Sequence, residues 1–200
     1  MRPFRLVAPL GALLLTAQAP ATDKPPAHPT GDVTVEYTVM ELDNPTEPPR
    51  ARPIQVWWAK GGAEMRIQMG DERYYVVLDR DTRLATMVLL DEHGYVETPY
   101  DPNRQTGFTV PANIPLMRGN GDVVAGYPCT LWHAKVTAGE GVVCVTEDGV
   151  LLQANGFNDN HNGDLTATSV VYGPVPESVF APPTGFRKLD LAVSAGAVRR

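Results

Sequence analysis

Two apolar strands joined by a charged turn are predicted for residues 74–90, which have the sequence YYVVLDRDTRLATMVLL. Tyr75 and Val77 alternate with other apolar residues in the first strand, and Met87 and Leu89 do so in the second. Because successive side chains of a strand point to opposite faces, both faces of these strands are apolar. A sheet with one face in water would alternate more cleanly. The second face must therefore be covered by another sheet, by a loop or by a ligand.

Further short strands are predicted on both sides of this pair, with local turns between them. Before it, strands are predicted within residues 32–40, 54–58 and 63–69; after it, at 95–100, 122–127, 129–136, 142–146, 150–157 and 165–172, with a helical turn at 176–180 and a short last strand. Asp148 and Gly149 form the strongest two-residue hairpin signal. No long amphipathic helix is predicted, so the chain is mainly β, with a largely sequential antiparallel strand order.

The first residues have the order of a secretory signal peptide. Arg2 and Arg5 precede an apolar run over residues 6–15, and Ala19 and Ala21 provide the small residues of a cleavage site. The alternatives are a buried helix or a membrane anchor, but the run is shorter than the roughly 20 residues that span a bilayer. We predict a signal peptide over residues 1–21, a periplasmic location and no membrane span after cleavage.

The rest of the chain is predicted to form one domain. Residues 22–30 contain three prolines and few large apolar side chains, which is typical of a disordered leader. A single β domain is predicted over residues 31–191, and residues 192–200 are predicted to be a loose tail. The formal net charge of the whole chain is −6, and an acidic chain is a poor partner for nucleic acid. The oligomeric state is left open.

The two cysteines, Cys129 and Cys144, are predicted to form a disulfide, since exported thiols usually pair. A simple hairpin turn over residues 137–141 would place Cys144 opposite roughly Lys135, so pairing with Cys129 requires a bend. Residues 126–128, Gly-Tyr-Pro, can supply that bend. The alternative is two buried thiols with no redox role.

Motifs that carry catalysis or metal binding are missing from the sequence. No serine lies in G-x-S-x-G, and there is neither H-E-x-x-H nor a phosphate loop. The four histidines, His28, His93, His133 and His161, have no mutual spacing that suits a metal. Residues 158–164, NDNHNGD, resemble the start of a calcium loop, but the bidentate acid is replaced by Ser169. No catalytic residue, metal site or cofactor is predicted.

Four segments carry a resemblance to a known family: WAKGGAEMRIQMGDERYY at residues 58–75, GYPC at 126–129, VCVTEDGVLL at 143–152 and FAPPTGF at 180–186. Together they resemble the LolA-like superfamily of periplasmic proteins, over most of residues 31–191. The resemblance implies an open, strongly curved antiparallel meander sheet, a half-barrel whose concave face takes lipid acyl chains.

On this resemblance, the chain is expected to be a non-catalytic periplasmic binding protein for an apolar ligand, such as a lipid or a lipidated protein. The candidate ligand contacts are apolar residues of the central strands: Met65, Ile67, Met69, Tyr75, Val77, Met87 and Leu89. Residues 99–121 are the candidate lid. One alternative is a protein-interaction or stress-sensor module, as in the RseB-like branch; an enzyme ranks last. A two-sheet sandwich with a filled core would give the same apolar pattern without a ligand.

Overall fold

The computed structural model describes residues 24–41, 50–70, 72–102, 106–110, 114–136, 139–156 and 164–190. The predicted signal peptide, the predicted tail and residues 158–163 lie outside the described residues. The strands are β1 (Val33–Glu41), β2 (Arg50–Ala59), β3 (Glu64–Met69), β4 (Tyr74–Asp79), β5 (Leu84–Leu89), β6 (Gly94–Pro99), β7 (Met117–Val124), β8 (Tyr127–Val136), β9 (Gly139–Val145), β10 (Leu151–Asn155), β11 (Asp164–Tyr172) and β12 (Arg187–Lys188). In the described part of the chain, no helix is long and apolar enough to cross a membrane.

All of these strands belong to one sheet, with the order β12-β6-β5-β4-β3-β2-β1-β11-β10-β9-β8-β7. Consecutive strands pair antiparallel within β1 to β6 and within β7 to β11. Strand β1 joins these two halves by pairing with β11, and β12 pairs parallel with β6. The sheet is open, because β12 and β7 lie at its two ends. The predicted fold class, a curved antiparallel meander with little helix, is confirmed. The strand bounds differ most at β7, which begins at Met117 rather than at residue 122, and at β2, which begins at Arg50 rather than at residue 54.

The concave face of the sheet, called here the inner face, carries the main core. Tyr37 of β1 and Trp58 of β2 are fully buried there, and they belong to the same cluster as Met65 of β3 and Val143 of β9. Side chains from such distant strands meet only on the inside of a curved sheet. The hydroxyl of Tyr37 donates to the carbonyl oxygen of Leu151 at 2.7 Å, which ties the two halves of the sheet together.

Two segments without regular structure cover part of the inner face. The Phe108 ring contacts the Tyr37 ring, with 5.7 Å between centroids, and Val110 is buried in the core cluster. The amide of Val110 donates to the Ala27 carbonyl at 3.1 Å. Instead of the expected disordered leader, residues 24–30 thus lie against the domain. The cover over this part of the sheet is a loop, not a second sheet.

The outer face is covered by residues 174–186, which continue into the edge strand β12; residues 174–190 are called here the C-terminal strap. The buried residues Tyr75, Val77, Val88 and Phe180 form a second cluster on this side of the sheet. The strap reaches β6 at its end, where the amide of residue 189 donates to the Tyr95 carbonyl at 2.8 Å. The outer face of β4 and β5 is therefore covered by a different part of the chain from the loop that covers the inner face beside β1.

The predicted disulfide is confirmed: Cys129 and Cys144 are bonded, with 5.5 Å between their Cα atoms. The expected register was wrong, because Cys144 pairs with Leu131 while Lys135 pairs with Glu140. The pairing of β8 with β9 continues to Val136 and Gly139, beyond the ends assumed, which moves Cys144 along β8. Cys129 lies two residues from Leu131 on the same face and is therefore a diagonal neighbour of Cys144, within reach of a disulfide.

Candidate functional site

The inner face of strands β3 to β6 is almost wholly apolar. The register of the strands assigns to it Met65, Ile67, Met69, Tyr74, Val76, Leu78, Ala85, Met87, Leu89, Gly94, Val96 and Thr98. None of these residues carries a carboxylate, an amine or a guanidinium. We call this surface the apolar face.

The other side of the same strands has a different chemistry. Glu64, Arg66, Gln68, Asp79 and Glu97 alternate with the residues of the apolar face and so point to the outer side. Each of these strands thus keeps its charged side chains on the outer side. The apolar face lacks charge because of where those residues fall in the alternation, and not because the strands contain no charged residues.

The predicted ligand contacts are split between the two sides of the sheet. Met65, Ile67, Met69, Met87 and Leu89 lie on the apolar face. Tyr75 and Val77 lie on the outer side beneath the C-terminal strap, so the seven residues do not form one surface. Since both faces of β4 are apolar, the alternation in the sequence does not identify which residues lie on the concave side of the sheet.

Exposure on the apolar face is uneven, and Leu78 of β4 and Val96 of β6 are buried. Trp58 and Met65 are 1 % and 2 % exposed, Ile67 and Met69 are half-buried, and Met87 of β5 is 36 % exposed. Leu89, by contrast, is buried. The loop around residue 108 covers the β1 side, so the accessible apolar surface lies over β3 to β5.

The described histidines lie far apart in the fold and have separate neighbours. His28 stacks on Trp58 with 6.4 Å between ring centroids, and His93 contacts the Phe186 ring at 5.5 Å. His133 pairs with Val142 across β8 and β9. Among the described residues, no group of three or more His, Cys, Asp or Glu side chains could hold a metal ion.

A cleft of about 330 Å³ lies on the outer side, between β1, β2 and β3. Its polar lining includes Glu36, Gln55, Gln68 and Thr168. The Gln68 amide nitrogen already donates to two backbone carbonyls, and the Thr168 hydroxyl donates to the Glu36 carbonyl. The polar groups of Gln68 and Thr168 are thus engaged within the protein, so the cleft is a weaker candidate than the apolar face.

Sequence reasoning missed one functional candidate, Arg66, which lies on the outer side of β3. Its guanidinium carbon is 3.6 Å from the Tyr75 ring centroid and 4.8 Å from that of Trp57. Burial lowers the pKa of Arg66 from its ordinary value, an effect that the nearby Tyr75 opposes. The only signal in the sequence is a basic residue between apolar neighbours, in Met65-Arg66-Ile67.

Comparisons with known proteins show similarity in three dimensions only. No protein-family model matches the chain, and no curated protein matches it. An uncharacterized conserved protein from Thermus thermophilus has a TM-score of 0.55 at 8 % identity, covering 80 % of this chain and 90 % of its own. MucB in complex with MucA(peri) has a TM-score of 0.51 at 14 % identity, covering 80 % of this chain and 57 % of its own.

A LolA superfamily protein from Nitrosomonas europaea also matches, with a TM-score of 0.41 at 10 % identity, covering 78 % of this chain and 92 % of its own. At these identities the matches concern the fold and not the activity. The chain spans a little over half of the MucB chain that it matches. The protein therefore shares its fold, one open antiparallel sheet, with the Thermus thermophilus protein and with MucB, and this fold agrees with the LolA-like resemblance of the sequence.

Proposed function

We propose that the protein is a non-catalytic periplasmic binding protein for an apolar ligand, such as a lipid or the acyl chains of a lipoprotein. The observation that carries the proposal is the apolar face, which has no charged residue and becomes accessible over β3 to β5. The predicted signal peptide supports export, and the shared fold with MucB, solved with MucA(peri), agrees with it.

Binding at this face has a favourable energy balance. Each methylene removed from water contributes about 0.8 kcal/mol, so a fatty chain gains several kcal/mol after the ordering costs of association. Met69 and Met87 suit such a ligand, because flexible thioether side chains adapt to chains of varying shape. Without a ligand, the same side chains would leave an apolar patch in water.

The loop that includes Phe108 and Val110 limits where a ligand lies. It fills the inner face beside β1 and is held by a hydrogen bond to Ala27 of the leader, as well as by contact with Tyr37. In this arrangement an acyl chain lies over β3 to β5, and the loop forms the wall on the β1 side. Movement of the loop and leader would lengthen the groove.

A protein-interaction module is the second candidate function. It is favoured by the MucB match, because that protein was solved in complex with MucA. In this role the apolar face would contact a partner protein in place of a lipid. The two candidates differ in whether the isolated protein binds fatty acid.

We expect Met87→Asp to weaken binding of a lipophilic dye by at least about tenfold, since a carboxylate next to an acyl chain loses its hydration. Met87 suits this test because it is 36 % exposed, whereas aspartate at the buried Leu89 would disturb folding. Met117→Asp is the matched control, a methionine that is 60 % exposed on β7. The measurement is fluorescence titration of the dye and its displacement by fatty acid. Equal binding by both variants would contradict the assignment of the site.

A further inference from the structure

The C-terminal strap lies across the outer face and makes a short 3-10 turn at Glu177–Val179, just before its most buried residue, Phe180. Phe180 is buried against Ala59, Tyr75, Val77 and Val88. Its neighbours Ser178 and Ala181 are exposed. Most of the strap thus lies on the surface; Phe180 is its most buried contact, and Val175, Val179 and Phe186 pack partly buried against the same cluster.

The polar contacts at the anchor are made to the backbone of the strap. Arg66 Nη1 donates to the Val179 carbonyl oxygen at 3.1 Å, and the Tyr75 hydroxyl donates to the Ala181 carbonyl oxygen at 3.2 Å. The two carbonyls flank Phe180 in the sequence. Recognition therefore requires an aromatic residue at a short turn, with a main-chain carbonyl on each side of it, while the Ala181 side chain is exposed.

The residues that hold the strap have the composition of a protein-binding surface. Tryptophan, tyrosine and arginine dominate the energetics of protein interfaces, and Trp57, Arg66 and Tyr75 stack here within cation–π distance. Placing a cation under a structural strap costs desolvation free energy that an apolar residue would avoid. In addition, Arg66 Nε is buried without a hydrogen-bond partner, so the strap does not satisfy all the donors of this cleft.

We propose that these residues form a peptide-binding cleft on the outer face, which the strap fills in cis. The partner that it fits is a protein segment with one aromatic side chain at a short turn, carbonyls on both sides of it and a further oxygen acceptor for Arg66 Nε. Strap and partner compete for the cleft. Because the strap is tethered, it competes for the cleft at millimolar effective concentration. A partner therefore binds well only when the strap is weakened or when the partner makes the additional hydrogen bond to Arg66 Nε.

The test uses the full chain and a fluorescent peptide with the sequence of residues 174–186. Phe180→Ala empties the cis anchor, and this variant is expected to bind the peptide at least about tenfold more tightly than the wild type does. A peptide that carries the same Phe180→Ala change should not bind. Adding Arg66→Lys to the variant should weaken binding by about tenfold or more, since lysine lacks the planar donors that meet the carbonyl.

Two controls keep the result interpretable. Far-ultraviolet circular dichroism and dye binding at the apolar face should be unchanged in Phe180→Ala. Phe180→Leu, which keeps an apolar anchor, should give the same order of affinities with a smaller gain. The proposal is overturned if a folded variant, alanine or leucine, binds the peptide no better than the wild type, or if Arg66→Lys leaves binding unchanged. The strap would then be a structural cover only.

Discussion

Replacing Trp58 by alanine is expected to lower the free energy of unfolding by about 3–5 kcal/mol, as removal of a large buried aromatic side chain usually does. Trp58 is the largest fully buried side chain on the inner face, and it also stacks on His28 of the leader. The loss therefore combines a cavity in the main core with weaker attachment of residues 24–30. Equilibrium denaturation in urea measures the change.

The adjacent residue is the matched control. Trp57 has the same side chain but lies half-buried on the outer face, against Arg66. Trp57→Ala removes partly exposed surface and one cation–π contact of about 1–2 kcal/mol, so its cost should be clearly smaller. Equal losses for the two variants would contradict the assignment of the two faces, because the strand register is what separates these neighbours.

Loss of the disulfide is expected to have the next largest effect on stability. The bond between Cys129 and Cys144 closes a loop with a sequence separation of 15, which corresponds to about 3 kcal/mol in the chain-entropy treatment. For a domain of this size, that loss lowers the melting temperature by roughly 6–12 °C. Thermal unfolding of the double variant Cys129→Ser, Cys144→Ser measures the change.

Reduction of the wild type provides the control for that prediction. The wild type in excess reductant should melt at about the temperature of the double variant, while the variant itself should not respond to reductant. A wild type that keeps its melting temperature after complete reduction, verified by thiol titration, would show that the bond does not stabilise the domain.

Local sequence signals were sufficient for most of the strands and turns. The hairpin at Asp148 and Gly149 joins β9 to β10 as predicted, with the Gly149 amide donating to the Thr146 carbonyl at 3.1 Å. The helical turn near residue 177 is also present. The hairpin and the helical turn depend on contacts between residues close in the chain, and the residue types at these positions favour them.

Features that depend on distant contacts were not predictable. The placement of Tyr75 and Val77 under the strap, opposite Met87, follows from how the whole sheet curves, and both sides of β4 look alike in the sequence. The leader has the composition of a disordered segment, yet it lies against the hairpin at Gly149, where a Cβ atom would overlap the His28 carbonyl oxygen. The sequence around Gly149 does not indicate that the missing side chain leaves room for the leader.

The central claim, that the apolar face binds an acyl chain, is tested most directly by native mass spectrometry of protein exported to the periplasm and purified without detergent. The account predicts that the wild type and Met117→Asp carry an additional mass that matches a fatty acid or phospholipid, and that Met87→Asp carries much less of it. Wild-type protein without any bound lipid mass, and without binding of added fatty acid, would contradict the claim and favour the protein-interaction function.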